Sequence, residues 1–231
     1  MRLPRPLRRV VDRLPRAAIF TDYDGTLAPI VDDPRRAAAV PGTRHVLSHL
    51  ARRAMLVMVV TGRPTSFVRH LGVPAIGQHG HEDGPPVEAV ARAAEMFEGS
   101  GFPVELKSHM LTVHYRAEPH RREEAMELAR RVAAATGLLP ALAKMGVELR
   151  PSALGKGDVV MRLGRGAGAA VYAGDDLGDV PAFVALRRLP APSVSVAVLG
   201  RETPRELVRA ADVVCPSPFD WVNWLREMAT S

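Results

Sequence analysis

Several segments of this chain are apolar at every position, with no alternation of apolar and polar residues. "AAIFT" (17–21), "MLVMVV" (55–60) and the lead-in of "AAVYAGDD" (169–176) are of this kind. A strand with one face in water alternates, and a strand buried on both faces does not. Helical patterns separate the runs: "PGTRHVLSHLARR" (41–53) with Pro41 near its start, and "PTSFVRHLG" (64–72), closed by Gly72. "AIGQHG" (75–80) reads as a third strand with its outgoing loop. Such alternation fits a parallel sheet covered by helices on both sides, which makes the fold class α/β with a Rossmann-like core.

The pattern changes over residues 82–152. It reads as a helix (87–98), two close strands ("VELKSH", "LTVHYR"), a long helix from Pro119 to Gly137, then strands "LLPALA" and "VELRP". Strands without an intervening helix argue for an antiparallel sheet. This stretch is therefore expected to be an inserted α+β domain, with residues 1–81 and 153–231 forming the core. The alternation then returns with a helix starting near Lys156, strands "SVSVAV" (193–198) and "ADVVC" (211–215), a helix at 203–210 between them, and a last helix at 218–229.

The 231 residues carry a formal charge of +6, almost all of the positive charge being arginine, since Lys107, Lys144 and Lys156 are the lysines. A solvated basic surface accounts for this, with anionic small substrates as the next reading. Without a basic motif interleaved with aromatics, nucleic acid is not an expected partner. One cysteine, Cys215, excludes an intrachain disulfide and suits a reducing compartment. The N-terminal "MRLPRPLRRVVDRLPR" is basic, broken by prolines, and lacks the apolar core of a signal peptide. The longest apolar run, "AMLVMVV", is too short to cross a bilayer. A cytoplasmic protein with no membrane partner, monomeric, is expected.

Sites in open α/β sheets form where strands end. "AAIFTDYDGTLAPI" places Asp22 and Asp24 at such an end. In extended backbone, residues two apart face the same way, so the two carboxylates are expected to converge while Tyr23 points away. Clustered carboxylates repel unless a cation joins them, and hard oxygen ligands suit Mg²⁺. A carboxylate is also a possible nucleophile, with its neighbour moving protons. A lone Asp-x-Asp-Gly is often only a turn. Here three further motifs accompany it. "VVTGRP" sets Thr61 at the end of the next strand, where its hydroxyl and backbone N–H are expected to hold a phosphate. "LGKGD" sets Lys156 before a helix, and "YAGDDLGD" ends a strand with Asp175, Asp176 and Asp179.

This four-motif set resembles the haloacid-dehalogenase-like (HAD) phosphohydrolases, over nearly the whole chain. The resemblance implies Asp22 as nucleophile, Asp24 as general acid/base, Thr61 with Gly62 and Arg63 at the phosphoryl group, and Lys156 offsetting charge. It implies Mg²⁺ held by Asp22, Asp175 and the carbonyl of Asp24, with Asp176 and Asp179 supporting that shell. It also implies in-line transfer to Asp22 and hydrolysis of the aspartyl phosphate.

The insert occupies the place of the larger cap (C2B-type) of that superfamily. "VELKSHMLTVHYR", "GVELRPSALGKG", "DYDGTLAPI" and "GQHGHE" are together similar to the trehalose-6-phosphate phosphatases. That likeness implies a small-molecule sugar phosphate as partner, with Glu105, Lys107, Arg116 and Glu148 on its sugar side. Sucrose-type or glucosylglycerol-type esters are alternatives within the class, and a non-catalytic sugar-phosphate-binding protein is one outside it. The family's Gly-Asp-Asp-x-Thr-Asp-Glu is altered here, with Gly178 and Val180 in place of Thr and Glu. His79, His81 and Glu82 are read as a loop supporting the site, and His114, Tyr115 and Cys215 as structural.

Overall fold

The computed structural model describes residues 3–77, 87–107, 110–143, 145–150, 155–201 and 203–231, without the side chains of Val87 and Lys107. His79, His81 and Glu82 lie outside the described residues. In chain order the strands are β1 (Ala17–Thr21), β2 (Leu56–Val60), β3 (Ala75–Ile76), β4 (Val104–Lys107), β5 (Met110–His114), β6 (Leu139–Ala143), β7 (Gly146–Arg150), β8 (Ala169–Gly174), β9 (Ser193–Val198) and β10 (Val213–Cys215). The α-helices are α1 (Arg5–Val11), α2 (Thr43–Ala51), α3 (Thr65–Val68), α4 (Val87–Met96), α5 (Arg122–Thr136), α6 (Lys156–Gly164), α7 (Val180–Arg187), α8 (Arg205–Ala210) and α9 (Pro218–Thr230). The chain divides into two units, Met1–Gly80 with Leu154–Ser231, and His81–Ala153.

The first unit is built on a parallel six-stranded sheet of order β10-β9-β8-β1-β2-β3. The uniformly apolar strands are explained by what lies on each side. Ile19, Val57, Val59, Val171 and Val196 face one way, onto Leu7 and Val10 of α1, Leu47 and Leu50 of α2, and Trp221 and Leu225 of α9. Phe20, Met58, Val60, Tyr172 and Ala197 face the other way, onto Val160 of α6, Phe183 and Leu186 of α7, and Leu207 of α8. The chain builds β2 and β3 on one flank of β1, then returns to build β8 to β10 on the other. The strand order therefore reverses at β1, and crevices of α/β sheets open at such reversals.

Two helices give little signal in the sequence. The basic N-terminus carries α1, whose Leu7 and Val10 are buried. Pro4 and Pro6 do not interrupt it, because they fall at its N-cap and first turn, where no intrahelical N–H bond is lost. Helix α7 likewise carries Pro181 in its first turn. Among the described residues, no helix is long and apolar enough to cross a membrane.

The inserted unit is an antiparallel sheet of order β4-β5-β7-β6. Leu111, Val113, Val147 and Leu149 pack on Val90, Ala93 and Phe97 at one helix and Ala125, Ala129 and Val132 at the other. Helices thus cover one face, as the adjacent strands in the sequence imply. The cross-strand register puts Glu105 beside Thr112, and Thr112 beside Glu148, so these three share the opposite face.

Leu7 is fully buried against the main sheet. Leu7→Ala should lower unfolding free energy by about 2–5 kcal/mol, the range for a leucine deleted from a packed core. A denaturant midpoint equal to the parent's would show that α1 contributes nothing to that core.

Candidate active site

Strand β1 stops at Thr21, and its end is fixed from three directions. The Asp22 amide donates to the Ala173 carbonyl on β8 at 2.9 Å. The Thr21 hydroxyl donates to the Asp22 carbonyl at 3.0 Å and accepts from the buried Trp221 indole at 3.1 Å. The next turn folds tightly back, with the Leu27 and Ala28 amides both donating to the Tyr23 carbonyl. Gly25 sits in the left-handed region at φ +67°, and a Cβ there would lie 1.9 Å from an Asp175 carboxylate oxygen. A glycine is required on both counts.

Lys156, at the first position of α6, is the hub. Its ammonium, 3% exposed as a residue, lies 2.9 Å from Asp22 and 2.7 Å from Asp179. Burial works against its charge, but Asp179 and Asp22 outweigh that and hold its pKa above the ordinary lysine range. Asp179 is fully buried and saturated. Its Oδ1 accepts from Lys156 and from the Tyr172 hydroxyl at 2.6 Å, and its Oδ2 accepts the amides of Asp175 and Asp176. Burial opposes its ionisation, yet Lys156 and these donors bring its pKa down overall.

Asp22, Asp175 and Asp179 each place a carboxylate oxygen within 4.8 Å of the others. Three carboxylates there face one ammonium, which leaves two negative charges uncompensated when all are ionised. Burial first, and the neighbouring carboxylates against Lys156, push Asp22 up to about 8. Burial and Asp22 push Asp175 up to about 9. A dense set of hard oxygens short of positive charge is a donor set for a divalent cation.

Asp24 is not in this cluster. Its carboxylate turns to Arg63, whose Nε and Nη2 donate to its two oxygens, each at 2.7 Å. The expected convergence of the Asp22 and Asp24 side chains is not found, because β1 ends at Thr21 and the chain is already turning at Asp24. Tyr23 points away from both, as period two implies, and its hydroxyl donates to the Ala37 carbonyl inside the core. Asp176 caps the short turn that leads into α7, accepting from the Gly178 amide.

Thr61 lies at the end of β2, beside β1. Its amide donates to the Ile76 carbonyl at 3.0 Å, so that N–H belongs to the sheet and is not open to a phosphate as the sequence reading supposed. Its hydroxyl accepts the Arg63 amide at 3.1 Å, which leaves the hydroxyl proton to donate elsewhere. Gly62 is half-buried between them.

In the inserted unit, Glu148 is 9% exposed and pairs with Arg150 at 3.1 Å. Glu105 is exposed and pairs with His114 at 3.1 Å. Arg116 is exposed just past β5, and the Lys107 side chain lies outside the described residues. The Thr112 hydroxyl, in register with both glutamates, is buried without a hydrogen-bond partner among the described residues. Sequence reasoning passed over Thr112 and also Tyr172. A tyrosine in an otherwise uniformly apolar strand was the available signal, because a buried hydroxyl requires a partner.

A family model described as trehalose-phosphatase matches residues 20–88 and 86–211. The trehalose-phosphate phosphatase of Mycobacterium avium (strain 104) is 35% identical over 214 residues, covering 78% of this chain and 54% of its own length. A probable trehalose-phosphate phosphatase of Sinorhizobium fredii is 32% identical over 204 residues, covering 78% of this chain and 77% of its own. This chain thus spans about half the length of the mycobacterial phosphatase. The solved trehalose-6-phosphate phosphatase of Aspergillus fumigatus shares the fold, with a TM-score of 0.75 at 22% identity, over 99% of this chain and 98% of that one. The Rossmann-like parallel-sheet core with an inserted α+β domain, expected from the strand patterns, is the fold observed. With its motifs on the ends of β1, β2 and β8 and the family model matched across residues 20–211, the chain belongs to the trehalose-phosphatase family.

Proposed function

We propose that the protein is a Mg²⁺-dependent phosphatase that hydrolyses trehalose 6-phosphate to trehalose and phosphate. The observation that carries the reading is the buried Lys156 ammonium joining Asp22 to Asp179 inside an acidic cluster at the ends of parallel strands. Such a cluster has no use as a packing device, since burying charges costs more than their pairing usually returns.

The Asp22 carboxylate attacks phosphorus in line. An aspartyl phosphate bond forms, the bond to the sugar oxygen breaks, and Asp24 gives that oxygen its proton. Asp24 then takes a proton from the water that attacks the aspartyl phosphate, which frees phosphate and restores Asp22. The Thr61 hydroxyl donates to a phosphoryl oxygen beside Gly62, and Lys156 offsets the charge of Asp22 and the phosphoryl group. Positioning and charge stabilisation supply most of the rate. Asp22, Asp175 and the Asp24 carbonyl, with Asp176 and Asp179 supporting them, would hold Mg²⁺, which would supply charge stabilisation for the phosphoryl oxygens. In the insert, Glu105, Lys107, Arg116 and Glu148 bind sugar hydroxyls, which donate hydrogen bonds to carboxylates and accept them from cationic side chains. A buried lone thiol, pushed up to about 12 by burial, fits work in the reducing cytoplasm.

The deciding assay is phosphate release from trehalose 6-phosphate, glucose 6-phosphate and sucrose 6-phosphate, with Mg²⁺ and with EDTA. Strong, EDTA-sensitive release from the trehalose ester alone is expected. Release confined to another ester would remove the sugar assignment and keep the chemistry. Asp22→Asn should cut turnover by more than about 10³-fold while the chain still folds, as loss of a nucleophile does. Substantial residual turnover would reject Asp22. Glu148→Ala should reduce kcat/KM on the trehalose ester by roughly tenfold or more while sparing an aryl phosphate, because a lost hydrogen bond to a charged group costs about 1.5–3 kcal/mol. Equal losses would remove Glu148 from sugar binding.

Metal removal should also show in stability. In the folded, metal-free chain Asp22 and Asp175 titrate near 8 and 9, against an ordinary value of 3.8. The folded state therefore keeps protons that the unfolded chain has lost, and stability falls as pH rises from about 4 to about 9. Mg²⁺ should raise Tm more at pH 8.5 than at pH 6. A Tm gain independent of pH would place the ion elsewhere.

A further inference from the structure

The hydrogen bonds to the Asp24 carboxylate come, among the described residues, from one side chain, Arg63. Asp22 is fixed by Lys156 and Asp179 by four donors, whereas the Asp24 side chain is 31% exposed and, among the described residues, is held by the Arg63 side chain. The Arg63 fork meets both oxygens at once, which fixes the plane of the carboxylate as well as its place. An ionised carboxylate offers about four lone-pair sites, and the fork fills two of them, one on each oxygen. One oxygen can still carry a proton to or from a reacting group.

Arg63 is itself held from below. Its guanidinium carbon lies 4.4 Å from the centre of the Phe67 ring, four residues on in α3. Phe67 meets Tyr23 edge to face, with ring centres 5.7 Å apart at 85°. Tyr23 is 1% exposed and tied to the Ala37 carbonyl. Tyr23 is also the residue before Asp24. A closed circuit runs from Tyr23 through Phe67 and Arg63 to Asp24, and returns to Tyr23 along the backbone. The Arg63 amide belongs to the same fixture, through its bond to the Thr61 hydroxyl.

We infer that Arg63, shelved on Phe67, is a positioning residue that aims the Asp24 carboxylate at the leaving oxygen of the ester and sets the rate of proton delivery to it. Neither residue touches the reacting atoms in this account, and both act through Asp24. The inference rests on the proposed phosphatase reading, with Asp24 as the acid. It departs from the expectation that Arg63 binds the substrate phosphate, because in the structure its fork is engaged by Asp24.

Two esters separate the possibilities. A sugar hydroxymethyl leaves poorly and requires a proton, whereas p-nitrophenolate leaves without one. Arg63→Lys keeps the charge and loses the fork and the flat stacking surface. Phe67→Leu keeps apolar bulk and loses the π face. With release of the leaving group, trehalose or p-nitrophenolate, measured in a single turnover so that the later attack of water on the aspartyl phosphate does not enter, each variant should lose roughly tenfold in rate on the sugar ester. That is a part of the roughly 10²–10⁴-fold that general acid catalysis supplies. The concentration giving half the maximal single-turnover rate should change little, and the loss on p-nitrophenyl phosphate should be several times smaller. Equal losses on both esters, or a rise in that concentration alone, would overturn the inference and return Arg63 to a structural or phosphate-binding role. So would an Arg63→Lys variant that matches the parent on both. Arg63→Lys carries the test by itself if Phe67→Leu fails to fold. A parent enzyme that releases phosphate from neither ester would overturn the phosphatase reading, and this inference with it. A parent active on both, with variants impaired equally, would overturn the inference alone.

Discussion

A single buried ammonium holds this site together. Without Lys156, Asp22 and Asp179 would be two buried carboxylates with no side-chain cation between them, and burial and mutual repulsion would both oppose their ionisation. With it, Asp179 ionises, ties down the amides of Asp175 and Asp176, and receives the Tyr172 hydroxyl. The position of the β8 loop therefore follows from a charge on α6. The sheet brings the ends of β1 and β8 side by side, and Lys156 determines what those ends can do.

The two aspartates of the first motif show how closely environment divides labour. They are two residues apart, yet one lies in the buried cluster with Lys156 and the other in a half-exposed fork with Arg63. A nucleophile needs a fixed position and compensated charge. An acid/base needs access to a leaving group and to water. In the proposed mechanism, the turn after β1 separates these two demands within three residues of chain.

Much of the fold was legible in the sequence. Both-face burial wrote itself into Ile19, Phe20 and their neighbours as unbroken apolar runs, and the close strands of the insert announced an antiparallel sheet. Helix α1 was hidden because Pro4 and Pro6 look like breakers until their place in the first turn is known. The chemical residues were legible as types at strand ends. Their pairings were not, because period-two geometry fails once a strand has ended. Thus Asp24 was expected beside Asp22 and is found on Arg63, and the Thr61 amide was expected at a phosphate and is found in the sheet. Tyr172 and Phe67 were missed because an aromatic in an apolar run, or in a short helix, looks like packing until its partner is seen.

The missing Cβ at Gly25 has a consequence for how this sequence can vary. The Asp175 carboxylate occupies the volume that any other side chain at that position would need. Exposed strand positions such as Glu105 carry no such steric limit in their backbone. At Gly25 even one methyl group collides with a cluster carboxylate before any ester arrives. At that one point of the chain the space of usable residues is a single amino acid.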